Sequence, residues 1–168
     1  MGLADANRTR VLSIGLPATE FFPKSKAAAQ AALDLDDTLA EAHAALGFAE
    51  LFYDWNWHAA EARYQRALEL NVNSAESHVN YAGLLVVMGR YDEGLAHVRR
   101  ARELDPLNLR TNALEGQFLI LGGQPDEGIA RLQKTIELEP RFFLGRVFVA
   151  SGYLKRGRHD EAVRTGAR

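Results

Sequence analysis

The stretch Gly123-Gln124-Pro125-Asp126-Glu127-Gly128, followed by Leu138-Glu139-Pro140, decides the fold. Its landmarks return 34 residues earlier, in Gly89-Arg90-Tyr91-Asp92-Glu93-Gly94 and Leu104-Asp105-Pro106, and again in Gly157-Arg158-His159-Asp160-Glu161-Ala162. A fixed period of this length is typical of arrays of small helical units that are stable only when stacked on one another. The period therefore predicts an all-α repeat fold.

Each repeat is predicted to hold two helices. Glycine at the central turn can adopt the positive φ that ends the first helix, and an acidic pair suits the start of the second. A proline then ends the second helix, because the residue before it is kept out of the helical region. This pattern predicts helices at 3–14, 23–36, 39–53, 56–71, 74–88, 91–104, 108–121, 125–138, 142–156 and 159–167. Thr38 and Glu41 have the spacing of a capping box, which predicts a helix beginning at Leu39.

One repeat is longer than the others. Leu35-Asp36-Asp37 precedes Leu70-Asn71-Val72 by 35 residues, and the extra residue maps to the turn Asp54-Trp55-Asn56-Trp57. One tryptophan could fill the gap that the insertion opens between helices. Alternatively, it could protrude as a contact anchor of the kind that interfaces favour.

The composition excludes several kinds of site. The chain has 168 residues, a net charge of −2 and no cysteine, so disulfides and thiolate chemistry are excluded. No apolar run approaches the roughly 20 residues that a membrane-spanning helix needs. The start, Met1-Gly2-Leu3-Ala4-Asp5-Ala6, has no signal-peptide pattern, which predicts a cytoplasmic protein.

The arrangement of these landmarks resembles the tetratricopeptide repeat. The residues that match its pattern are Leu46-Gly47, Ala60, Tyr64, Ala67, Gly116, Leu132, Pro140, Ala150, Tyr153, Gly157 and Ala162. The resemblance implies a right-handed α-α superhelix, or solenoid, of about four to five helix pairs. It would form a single array over residues 1–168, with units of about 1–37, 38–73, 74–107, 108–141 and a truncated 142–168. Gly94 and Gly128 stand where the family has alanine, and we interpret them as allowing close helix contact.

The turn at Tyr53-Asp54-Trp55-Asn56-Trp57 is similar to repeats in a bacterial subgroup. In that subgroup, such arrays form the C-terminal part of multidomain regulatory proteins, so the resemblance implies a piece of a longer chain. It implies a non-catalytic scaffold for protein–protein interaction. The alternative is a homo-oligomerisation module, in which a homodimer forms through apolar ends carrying Phe142, Phe143 and Phe148.

The first helices of such arrays line a concave groove that binds a partner segment. The residues that the resemblance places on this face are Phe48, Leu51, Phe52, Val79, Val86, Ala113, Gln117, Ile120, Val147 and Ser151. Their apolar character predicts a protein or peptide partner with an apolar helix or extended segment. Val79 and Ala113 replace the basic and amide residues that hold a terminal carboxylate in some members. Two other outcomes stay open: these side chains could be core, or the chain's own flanking segment could fill the groove.

We find no pattern for catalysis, a cofactor or a metal. His43 and His78 share one repeat position, which predicts helix packing rather than shared metal ligation. No serine lies in a nucleophile-elbow motif, so we expect a protein that is not an enzyme. Residues 141–168 carry 7 Lys and Arg against 2 Asp and Glu, but the rest of the chain is acidic. Nucleic acid is therefore not the expected partner.

Overall fold

The computed structural model describes residues 17–166, and the helix predicted at 3–14 lies outside them. The described residues are all-helical, with no strand. The helices are α1 (Ala18–Leu35), α2 (Ala40–Phe52), α3 (Trp57–Leu70), α4 (Ala75–Val87), α5 (Tyr91–Leu104), α6 (Leu109–Leu121), α7 (Pro125–Leu138), α8 (Phe143–Lys155) and α9 (His159–Gly166). Helices α2 to α9 agree with the predicted ranges to within one residue at each end.

The prediction for the first described helix, at 23–36, is wrong at its start. Helix α1 begins at Ala18, so Pro23 lies inside it. The carbonyl oxygen of Pro17 accepts the N–H groups of Glu20 and Phe21 at 3.0 and 3.1 Å. Phe21 and its neighbour Phe22 are both buried, so tertiary packing of this first turn outweighs the proline penalty.

The capping box predicted at Thr38 does not form, and α2 begins at Ala40 without a side-chain cap. Both the backbone N–H and the hydroxyl of Thr38 donate instead to Asp36 Oδ1, at 2.9 and 2.6 Å. The hydroxyl bond, with the backbone bond behind it, holds the pKa of Asp36 below its usual value. The Thr38 hydroxyl therefore bonds to Asp36 instead of capping the start of α2, as the spacing with Glu41 had predicted.

The chain divides into two compact units, Met1–Leu84 and Leu85–Arg168, here called unit 1 and unit 2. In unit 1, α1 packs on α2 and α2 packs on α3. The α1–α2 core contains Ala29, Leu33, Ala42, Ala45 and Leu46. Gly47 lets α2 and α3 approach closely, because a Cβ added to it would lie 3.1 Å from the buried ring of Tyr64.

In unit 2, each helix from α5 to α9 packs on the next, and α6 also contacts α8. The core of this unit contains Ala113, Ile120, Ile129, Leu132 and Val149. The first helices of two successive pairs, α6 and α8, are thus neighbours, as stacking of helix pairs requires.

Three of the central turns have one geometry. Gly89, Gly123 and Gly157 have φ of 79°, 89° and 70°, as predicted for glycines that end a helix. The residue after each glycine donates its N–H to the carbonyl oxygen five positions earlier: Arg90 to Leu85, Gln124 to Leu119 and Arg158 to Tyr153, at 2.8, 2.8 and 2.9 Å. These bonds satisfy carbonyl groups at the helix ends.

The turn between α2 and α3 contains the inserted residue. Here Asn56 donates its N–H to Glu50 at 2.9 Å, which spans six positions rather than five. Trp55 takes the place of the turn glycine and has a φ of 56°, which is unusual for a residue with a side chain. Asn56 Oδ1 then accepts the N–H of Ala59 at 3.2 Å and caps α3. The predicted position of the insertion is confirmed.

Candidate partner-binding faces

The ten residues predicted to bind a partner divide by exposure into two groups. Those in the core are Leu51, Val79, Val86, Ala113 and Ile120. Those with accessible surface are Phe48, Phe52, Gln117, Val147 and Ser151. A core side chain cannot contact a partner without repacking, so only the second group contributes to a surface. It lies on α2 in unit 1 and on α6 and α8 in unit 2.

The exposed face of α2 is aromatic. Phe48 and Phe52 lie 4.7 Å apart between ring centroids, and Phe22 from α1 stacks on Phe48 at 6.1 Å. Phe22 also stacks on Tyr53 at 5.2 Å. We call Phe22, Phe48, Phe52 and Tyr53 the aromatic cluster. Phe22 is buried, whereas Phe52 is 51% exposed, so the cluster presents one ring to solvent on a packed base.

Two tryptophans follow the end of α2, Trp55 in the turn and Trp57 as the first residue of α3. Trp55 is 72% exposed and Trp57 is 39% exposed, so both lie at the surface of the inserted turn. A salt bridge from Lys26 to Asp54 links this turn to α1. Unit 1 therefore has several large exposed aromatic side chains close together along the chain.

A charged group lies one turn before the inserted loop. Burial raises the pKa of the Glu50 carboxyl, and the guanidinium of Arg63, 3.5 Å from Oε1, opposes that shift. The folded chain therefore holds this proton more tightly than the unfolded chain. The contribution of protonated Glu50 to the stability of the fold is greatest at acidic pH and falls as the pH rises above the ordinary carboxyl pKa of 4.5.

The corresponding face of unit 2 is mixed. The hydroxyl of Ser151 on α8 lies 3.1 Å from Oε1 of Gln117 on α6, which is 34 residues earlier, and 2.8 Å from the carbonyl oxygen of Phe148. Val147 and Leu154 on α8 are 41% and 53% exposed. Amide, hydroxyl and aliphatic groups are thus available together, without the aromatic surface of unit 1.

His43 and His78 have structural roles. Both are buried, and Nε2 of each lies 3.0 Å from a carbonyl oxygen six residues earlier, that of Asp37 or Val72. Asn112, at the same repeat position, donates to the carbonyl oxygen of Pro106 at 2.9 Å. In α2, α4 and α6, this bond fastens the first helix of a pair to the turn before it. Within residues 17–166 no three His, Cys, Asp or Glu side chains are placed to hold a metal.

Unit 2 contains a buried carboxylate that sequence reasoning missed. Glu115 on α6 is 2% exposed, with Arg102 Nε 2.9 Å from Oε2, although not aligned for a hydrogen bond. Arg99 and Arg131 each approach to 3.4 Å. Other repeats carry Leu46, Tyr81 and Val149 at this position. A glutamate at a position that other repeats fill with Leu, Tyr or Val was the sequence signal that could have predicted a buried carboxylate.

Part of the basic C-terminal stretch is engaged within unit 2. Arg156 contacts Asp126 at 3.1 Å, and Arg158 contacts Glu161 at 2.9 Å. The Arg158 guanidinium also lies 4.7 Å from the centroid of the Tyr153 ring. The hydrogen bond from Arg158 lowers the pKa of Glu161. These arginines therefore pair with acidic side chains of α7 and α9 and do not form a continuous cationic stripe.

Comparison with solved structures gives the class of fold. MamA is 20% identical with a TM-score of 0.73, and the match covers 99% of this chain and 92% of that one. YrrB, described as a TPR protein with an unusual peptide-binding site, is 18% identical with a TM-score of 0.67, covering 96% and 89%. PilF of Pseudomonas aeruginosa is 22% identical with a TM-score of 0.75, covering 98% and 77%.

The chain therefore has the tetratricopeptide-repeat fold, as its sequence predicted. No family model matches it, and neither does any curated protein. Among the described helices, none combines the length and the apolar character needed to cross a membrane.

Proposed function

We propose that this protein is a non-catalytic interaction module that binds an apolar segment of a partner protein on the exposed face of α2. The observation that carries the proposal is the aromatic cluster, in which Phe52 is half exposed and rests on packed rings. A rigid aromatic side chain loses little conformational entropy on binding and contributes strongly at interfaces.

The partner's chemistry is inferred from the side chains of this face. Aromatic carbon favours aliphatic or aromatic partner groups over a charged terminus. The peptide-binding site named for YrrB adds support, because that protein shares the fold. The proposal concerns a segment of protein, since an exposed helix face offers no enclosed cavity for a small molecule.

Replacing Phe52 by glutamate is expected to reduce partner capture about tenfold or more, because an anchor ring is lost and a charge is desolvated. The immobilised chain is incubated with lysate of its source organism, and bound proteins are quantified by mass spectrometry.

The matched control is Leu107→Glu, which adds the same charge at a turn residue that is 83% exposed. Circular dichroism verifies that both variants are folded. Selective loss with Phe52→Glu supports the proposal. Equal capture by the wild type and both folded variants would exclude the α2 face as the site.

A second candidate function is self-association through unit 2. Phe143 is 70% exposed, whereas Phe142 and Phe148 pack against the core of the unit. Val163 on α9 is also 70% exposed. An isologous contact between two copies would cover these side chains. Sedimentation equilibrium that shows only monomer at high concentration would rule out this candidate.

A further inference from the structure

Unit 2 contains a cavity of about 370 Å³ between α7, α8 and α9, partly open to solvent. Its apolar lining comes from Ile136 on α7 and Val149 on α8, together with the ring of Tyr153. The Tyr153 hydroxyl accepts a hydrogen bond from Gln133 at 3.2 Å. This cavity uses none of the residues of the aromatic cluster.

The preceding repeat explains why the cavity exists. Positions 99, 102, 115 and 131 carry three arginines and Glu115, which fill the space between α5, α6 and α7. One period of 34 residues later, the same four positions carry Gln133, Ile136, Val149 and Thr165. All four line the cavity. The shorter side chains leave open a space that the preceding repeat fills with an ion-pair network.

The charges at the cavity favour an anion. Arg146 and Arg164 line it, and Arg146 is half-buried with no acidic partner among residues 17–166. The one lining carboxylate, Glu161, is held by Arg158 at 2.9 Å. The lining therefore has an excess of positive charge next to an aliphatic and aromatic surface. A half-buried guanidinium favours a carboxylate, because the pair forms charge-assisted hydrogen bonds.

We propose that this cavity is a second binding site, which takes a peptide segment of a partner protein carrying a carboxylate side chain beside an aliphatic one. The carboxylate pairs with Arg146 at the rim, and the aliphatic side chain covers Ile136 and the ring of Tyr153. The arrangement has an internal precedent, since Glu115 occupies the equivalent space in the preceding repeat as a bound carboxylate. This site is independent of the proposed anchor at Phe52.

The test titrates the 15N-labelled chain with the capped peptide acetyl-Ala-Leu-Glu-Leu-amide and follows backbone amide shifts. Shifts are expected at Arg146, Val149, Tyr153 and Thr165. The analogue with glutamine in place of glutamate is expected to bind about tenfold more weakly, because a charge-assisted hydrogen bond is lost. Sodium acetate serves as a probe for a free anion.

Two variants localise the site. Arg146→Gln is expected to weaken binding about tenfold. Arg141→Gln removes the same charge from an exposed position outside the cavity and is expected to change nothing. Thr165→Phe fills the cavity without changing charge and is expected to abolish binding, with the amide spectrum reporting the fold.

Several results would overturn the proposal. Equal affinity for the glutamate and glutamine peptides would show that the carboxylate is not recognised. Amide shifts confined to α2 would show that the peptide binds at the aromatic cluster instead of the cavity. Acetate binding as tightly as the peptide would show a free-anion site only. Loss with Arg141→Gln equal to that with Arg146→Gln would reduce the effect to general electrostatics.

Discussion

Gly128→Ala is expected to destabilise unit 2 by about 3 kcal/mol, because it forces a methyl group into a close crossing of α6 and α7. An added Cβ would lie 2.5 Å from the carbonyl oxygen of Gly116 and 2.6 Å from Ile120 Cγ1. The first contact is with backbone, so relief requires α6 to move rather than a side chain to rotate. Packed helices accommodate such movement poorly.

Urea denaturation followed by circular dichroism measures this cost. The matched control is Gly83→Ala on α4, where an added Cβ has no neighbouring atom within 4 Å. That variant is expected to be more stable than the wild type by about 0.5–1 kcal/mol, since glycine in mid-helix is unfavourable. A Gly128→Ala variant as stable as the wild type would show that the helix crossing has room for a methyl group, and our interpretation of Gly128 would fail.

Glu115→Val is expected to cost about 2 kcal/mol, although valine occupies the same position one repeat later. The change leaves Arg99, Arg102 and Arg131 facing one another without their shared carboxylate. Breaking a fully buried ion pair costs roughly 3–5 kcal/mol. Here the arginine side chains are 29–45% exposed and can turn toward water, so we expect less.

The control for this prediction gives positions 102, 115 and 131 the residues that the next repeat carries at the equivalent positions. Adding Arg102→Ile and Arg131→Thr to Glu115→Val removes two of the unpaired charges and is expected to recover about half of the lost stability. Urea midpoints of the single and triple variants give the comparison. If the triple variant is less stable than the single one, the arginines stabilise the fold by packing rather than by pairing with Glu115.

The sequence predicted most helices because independent local signals coincide at several of their boundaries. At the α6–α7 turn, for example, Gly123 supplies the positive φ, Pro125 suits the first helical position and Asp126 favours the positive end of the helix dipole. The start of α1 was missed because it depends on burial of Phe21 and Phe22. Burial is a tertiary effect that local signals do not report.

The candidate site was less predictable than the fold. Repeat position placed Phe52 and Ile120 on the same predicted face, yet Phe52 is 51% exposed and Ile120 only 1% exposed. Exposure depends on how closely neighbouring helices pack, and that distance depends on contacts such as the one between Gly116 and Gly128. Similarly, Glu115 interrupts a visible apolar series, but its contacts with three arginines depend on how α5, α6 and α7 pack, which the sequence pattern does not report.

Hydrogen exchange of the chain alone and of the chain with its captured partner tests the central claim most directly. We predict that amides of α2 (Ala40–Phe52) exchange more slowly in the complex, because the partner segment lies over Phe48 and Phe52. Amides of the turn at Leu107 are predicted to exchange at an unchanged rate. Protection confined to helices other than α2 would contradict the proposal that this face is the main site of partner binding.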